Sequence, residues 1–220
     1  MTLVLFDVDG TLVDSQAAIH ECMRRTFVEF GQTEPDIAAV RSIIGLSLDH
    51  AIDALLGGMQ ADIGAMSAFY KDNWLTVQAL PEYEARFFDG MRELLDELAS
   101  RDEVLLGLVT GKSRRGIARM IELHGLDTMF VATRTADDCP SKPHPAMVLE
   151  CCAETGVGPD RTTVIGDTAF DMQMAIAAGA DAIGVGWGYH PTEELIEAGA
   201  GAVAKRASEI TGLLALATMD

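Results

Sequence analysis

Short apolar runs alternate with stretches of helical spacing along most of the 220-residue chain. The runs are LVLF (3–6), VLLGLV (104–109), MFVAT (129–133), TTVIG (162–166) and AIGVG (182–186). Each is rich in β-branched or aliphatic residues and lacks the apolar–polar alternation of a half-solvated strand, so each is predicted as a strand buried on both faces. Helical patterns lie between them near 89–101, 113–124, 144–156 and 169–178. Apolar strands separated by helices predict a parallel sheet covered on both sides, a doubly wound α/β core.

Residues 15–86 interrupt this rhythm. They contain no strand-like run, only helical spacing: Ala18, Cys22, Arg25 and Val28, then Ala51 to Leu56, then Met66 to Leu80. Gly31, Pro35, Gly45 and Gly57-Gly58 punctuate the segments. The pattern predicts a small helical domain (15–86) inserted after the first strand, with the core made of 1–14 and 87–220.

Composition narrows the partners. Sixteen basic against 34 acidic residues leave a net charge of −18, which argues against a nucleic-acid or anionic-membrane surface. No apolar stretch reaches the roughly 18 residues of a membrane span, and the N-terminus lacks the positive start of a secretory signal. A cytoplasmic protein, monomer or homodimer, is expected. Cys22, Cys139, Cys151 and Cys152 form no C-x-x-C pair and read as reduced core thiols.

The polar residues that matter stand where strands end. Asp7 and Asp9 follow the first run, Thr110-Gly111-Lys112 the second, and Gly166-Asp167 the fourth, with Asp171 four residues on. In a parallel sheet these positions converge on one edge, outside the carboxyl ends of the strands. Lys142-Pro143 precedes a predicted helix, so its ammonium can reach the same edge.

In order, DVDGT (7–11), TGK (110–112), KPHP (142–145) and GDTAFD (166–171) resemble the four motifs of the haloacid dehalogenase superfamily of phosphohydrolases. The resemblance spans nearly the whole chain, and the helical insert is similar in position to that family's mobile cap. The segment GVGWGYHPTEELIEAGA (184–200) further resembles the phosphoglycolate phosphatase branch. The resemblance implies a Rossmann-like core under an α-helical cap, and a Mg²⁺-dependent phosphatase of a small phosphorylated metabolite. It also assigns Asp7, first beyond the strand, as the nucleophile that forms an aspartyl-phosphate.

The chemistry fits those residue types. A phosphomonoester repels an anionic nucleophile, so a cation must stand beside the attacking carboxylate. Mg²⁺ prefers oxygen ligands and keeps several waters, so Asp7, the carbonyl of Asp9 and Asp167 suffice to hold it, with Asp171 contributing through a water or from behind. Asp9 would protonate the leaving oxygen and later deprotonate water. Thr110, the Gly111 N–H and Lys142 would hold phosphoryl oxygens, the N–H being expected at a helix start.

Several residues carry a plainer alternative. Thr110 could be a helix N-cap, Asp171 a complement to a helix dipole, and Asp14 an N-cap or a site residue. Arg114-Arg115 reads as an exposed helical face, and His190 as structural. In the insert, Arg41 is a candidate to meet a substrate carboxylate, and Gly45 a candidate to let a loop approach the cleft. Gly111 departs from the asparagine or serine frequent in the family, which removes a side chain that might orient substrate. Two rival functions stay open: a sugar phosphomutase, passing the same phosphoryl group to a second hydroxyl, and a catalytically silent interaction module on this fold. Dehalogenation needs neither Asp9 nor a magnesium site and is disfavoured.

Overall fold

The computed structural model describes residues 1–217. Its main sheet has six strands, all parallel: β1 (Thr2–Phe6), β4 (Val104–Val109), β5 (Ala132–Arg134), β6 (Thr162–Gly166), β7 (Asp181–Val185) and β8 (Ala202–Ala204). Their order across the sheet is β5-β4-β1-β6-β7-β8. The chain winds outward from β1 to β5 and then returns to the other side of β1 to lay down β6. The switch point therefore lies between β1 and β6, and the crevice outside their carboxyl ends is where such a sheet binds ligands.

Helices cover both faces. One apolar cluster packs Phe6, Leu106 and Ile165 against α5 (Met91–Ala99), α6 (Arg114–His124) and α10 (Ala207–Ala217). The other packs Leu3, Leu5 and Val164 against α7 (Ala146–Thr155) and α8 (Ala169–Ala178). Leu3, Leu5 and Phe6 are wholly buried, as the unbroken apolar run requires. The expected doubly wound α/β core is present.

Two strand expectations shift. The run 129–133 yields only Ala132–Arg134, because residues before it form the turn out of α6, and Val131 is exposed at the edge of the sheet. β8 was not expected: its alanine-rich Ala202–Ala204 carries little strand propensity and is formed by pairing with β7.

Between β2 (Val13–Asp14) and β3 (Arg86–Phe87), an antiparallel pair of two-residue strands, the chain is helical: α1 (Gln16–Glu29), α2 (Ile37–Ile43), α3 (Leu48–Leu56) and α4 (Ile63–Gln78), then a 3₁₀ turn at Pro81–Tyr83. These helices share a core of their own around Met23, Phe27, Ile52 and Met66. On α1 the buried stripe runs through Ala18, Cys22 and Thr26, while Val28 points outward, contrary to the expected spacing. No helix among the described residues is long and apolar enough to cross a membrane.

Candidate active site

Asp7 is the first residue beyond β1, and its N–H still donates to the Ile165 carbonyl of β6 (2.9 Å). That bond fixes its backbone at the switch point. The side chain is buried. Lys142 Nζ donates to Asp7 Oδ1 and to Asp171 Oδ1, both at 2.6 Å. Asp7 Oδ2 is buried with no hydrogen-bond partner. Such an atom is costly in isolation, and a cation or a hydrogen-bond donor placed there could satisfy it.

Asp167 follows β6. Thr11 Oγ1 donates to its Oδ1 and the Tyr189 N–H to its Oδ2, both at 2.9 Å. The loop of Gly10 wraps against this carboxylate. Gly10 has φ of 88°, and a Cβ there would lie 2.1 Å from Asp167 Oδ2, so only glycine fits. Asp171 belongs to a capping box at the start of α8: the Thr168 hydroxyl and N–H donate to its Oδ2, at 2.7 and 3.1 Å. It thus serves the helix terminus and Lys142 at once.

One carboxylate oxygen each from Asp7, Asp167 and Asp171 lie within 4.8 Å of one another, and all three residues are buried. With the acids ionised, three negative charges face the single positive charge of Lys142. Burial pushes the Asp7 carboxyl up to about 7, aided by Asp171 and Asp9 and opposed by Lys142. Burial likewise holds Asp167 well above the usual carboxylate range, with Asp7 and Asp171 adding to the effect. Burial alone would lower the Lys142 ammonium, but Asp171 and Asp7 hold it above its ordinary value. A divalent cation with oxygen preference fits this excess of buried negative charge and the unpartnered Asp7 oxygen.

A cavity of about 270 Å³ opens above this cluster. Asp7 and Asp9 line it, whereas Asp167 and Asp171 do not. Asp9 Oδ1 accepts from the Ser15 hydroxyl and pairs with Lys112 Nζ (2.7 Å). The opposite wall comes from the insert: Ile43 to Leu48 between α2 and α3, and Tyr70 and Trp74 of α4, whose rings stack at 5.8 Å.

Thr110 lies buried just beyond β4, its N–H donating to the Arg134 carbonyl (3.0 Å) and its Oγ1 accepting from the Lys112 N–H (3.1 Å). It is not a helix cap. Ser113 caps α6, accepting from the Gly116 N–H, so Gly111 sits in a loop and not at the expected helix start. Gly111 meets the insert directly: a Cβ there would lie 2.5 Å from the Leu46 carbonyl oxygen and 2.8 Å from that of Gly45. The absent side chain at this position makes room for the insert's backbone.

Gly45 lines the cavity with φ of 103°. Arg41 does not reach it; the residue is exposed on α2, away from the lining, because the α2 face toward the site ends in Ile43 and Ile44. Arg114 and Arg115 are both exposed on α6, as expected; Arg114 pairs with Asp138, and Arg115 in addition borders the cavity and donates to the Lys71 carbonyl (2.9 Å). Sequence reasoning gave no role to Ser15, Lys112 or Trp74. Trp187 Nε1 donates to the Thr11 carbonyl and Tyr189 accepts from the Ser15 N–H, so the GVGWGYHP segment clasps the DVDGT loop. His190 packs against Phe170 beside α8.

Comparison with known proteins agrees with this geometry. The family model for haloacid dehalogenase-like hydrolases matches residues 4–185. The chain is 31% identical to "Probable phosphatase IndB" of Dickeya dadantii, over 96% of this chain and 92% of that one. It is 30% identical to the phosphoglycolate phosphatase of Pseudomonas putida, over 86% and 70% of the two. A haloacid dehalogenase-like family hydrolase from Streptococcus pneumoniae superposes with a TM-score of 0.82 at 26% identity, covering 97% of this chain and 98% of the other. By its motifs, its fold and these relatives, the chain belongs to the haloacid dehalogenase-like hydrolases.

Proposed function

We propose that the protein is a Mg²⁺-dependent phosphatase that hydrolyses small phosphomonoesters through an aspartyl-phosphate on Asp7. One observation carries the reading: Asp7 and Asp9 alone of the acids at the switch point line the cavity, and Asp7 there has a buried oxygen without a partner. Asp7, the carbonyl of Asp9 and Asp167 would hold the metal, with Asp171 behind them, and the bound ion would neutralise charge that otherwise keeps the phosphoryl group away.

In this reading Lys142 holds Asp7 Oδ1, which fixes the carboxylate for in-line attack by an Asp7 oxygen on phosphorus. The ester P–O bond breaks, its electrons pass to the leaving oxygen, and Asp9 supplies the proton. Asp9 then takes a proton from water, whose oxygen attacks the phosphorus and frees Asp7 and inorganic phosphate. Thr110, the Gly111 N–H and Lys142 surround the transferred group. Relatives named as phosphatases support hydrolysis, and phosphoglycolate is the first ester to test. Release of inorganic phosphate that needs Mg²⁺ and vanishes in EDTA supports the reading; full activity in EDTA contradicts the metal assignment.

A further inference from the structure

Lys112 is the residue of the TGK segment for which the reaction above has no use. Its side chain is only 12% exposed. The backbone on either side is tied to the core, its N–H donating to Thr110 Oγ1 (3.1 Å) and its carbonyl accepting from the Ala136 N–H (3.0 Å). The ammonium reaches outward to two different partners. It pairs with Asp9 Oδ1 at 2.7 Å and stands 4.7 Å from the centre of the Trp74 ring. Asp9 belongs to the core and Trp74 to α4 of the insert, so one cation joins the two across the cavity.

Both donors that reach Asp9, the Ser15 hydroxyl and Lys112, engage Oδ1. Two donors on one oxygen fix the rotation of a carboxylate. A lysine chain has four flexible methylenes, and left to itself it would sample many positions. The face of Trp74 narrows that choice. Arg115, three residues on, donates to the Lys71 carbonyl of the same helix (2.9 Å), a second tie between α4 and this part of the core.

We propose that Lys112 is a positioning residue that makes proton transfer at Asp9 depend on the place of α4: the ammonium orients the Asp9 carboxylate, and Trp74 holds the ammonium. The proposal rests on the acid–base reading of Asp9. An acid displaced by about 1 Å can lose about 10² in rate. That loss falls on substrates whose leaving group must be protonated.

The test compares an alkyl phosphate with nitrophenyl phosphate in Lys112→Met, Trp74→Leu, the double variant and Asp9→Asn. Lys112→Met should lower kcat for the alkyl ester by about 10- to 100-fold, spare formation of the phosphoenzyme from the aryl ester, and leave KM within about twofold. Lys112→Arg should recover most of the loss. Trp74→Leu should give a smaller loss of the same kind and add nothing once Lys112 is gone. Should Lys112→Met fail to fold, Trp74→Leu against Trp74→Phe, which keeps the ring, carries the same leaving-group comparison. Equal losses on both esters, a pure KM effect, or independent effects of Lys112 and Trp74 overturn the proposal. If Asp9→Asn shows the leaving-group dependence and Lys112→Met does not, only the role of Lys112 falls; if neither shows it, the acid–base reading falls first.

Discussion

The floor and the roof of the cavity are built on different principles. The floor, Asp7, Asp167, Asp171 and Lys142, hangs from strand ends and a helix cap of the core: Lys142 joins Asp7 and Asp171 at 2.6 Å, and the Thr11 hydroxyl and Tyr189 N–H hold Asp167 at 2.9 Å. The roof, from Ile43 to Leu48 and along α4, meets the core through a glycine contact, a cation over a ring and a few hydrogen bonds such as that from the Ser47 N–H to Ser141 Oγ (2.8 Å). A floor of this kind suits chemistry, which needs fixed distances; a roof of that kind suits selection and access, which need a surface able to move.

Damage to the floor should therefore be large and damage to the roof graded. Asp7→Asn should lower phosphate release by about 10⁴ or more for every ester, because no other group can take the phosphoryl group. Steady-state assays on an alkyl and an aryl ester check it.

The next effect needs no substrate. Asp7 and Asp167 bind protons more tightly in the folded chain than in the unfolded one, so without metal the stability they contribute is present at low pH and lost as pH rises, for Asp7 between about 4 and about 7. Mg²⁺ at a hundredfold excess over Kd should then raise Tm by roughly 5–10 °C at about pH 8 and by much less at about pH 5. Asp167→Asn should stabilise the metal-free protein at the higher pH and erase the Mg²⁺ shift. Thermal denaturation in EDTA and in Mg²⁺ reads all of these.

At the roof, Gly111→Ser places a Cβ against the Leu46 carbonyl and forces the α2–α3 loop away. It should lower kcat/KM about tenfold while leaving the Mg²⁺-induced Tm shift intact, since overpacking of about 1–3 kcal/mol falls on the seam and not on the floor. Limited proteolysis should then cut the joins near Ser15 or Pro81 faster than in the parent protein. Smallest of all, Arg41→Ala should change kcat and KM by less than about twofold, because the side chain lies outside the cavity.

The same contrast governs what the sequence discloses. Leu3 to Phe6 read as a buried strand because a short, unbroken aliphatic run ending at Asp7 recurs along the chain between helical stretches, and the carboxylates after it then fall at the crevice. Asp167 and Asp171 were legible for the same reason, since a strand end and a helix start fix both. Arg41 misled because charge alone does not say which face of α2 meets the core. Lys112, Trp74 and Arg115 were opaque because their meaning is a distance across two segments far apart in the chain, set by how the insert packs. β8 was missed because three small residues acquire strand form only from their neighbour.

If Asp7 is phosphorylated beside an acid that moves protons, removing that acid should trap the phosphoenzyme. Asp9→Asn mixed with nitrophenyl phosphate and Mg²⁺ tests it most directly: the leaving group needs little protonation, whereas hydrolysis of the phosphoenzyme needs a base. The expected result is a burst of nitrophenol equal to the enzyme present, slow turnover afterwards, and a phosphoryl adduct found by mass spectrometry on the peptide bearing Asp7. The absence of burst and adduct, with Asp9→Asn equally slow on alkyl and aryl esters, would contradict it.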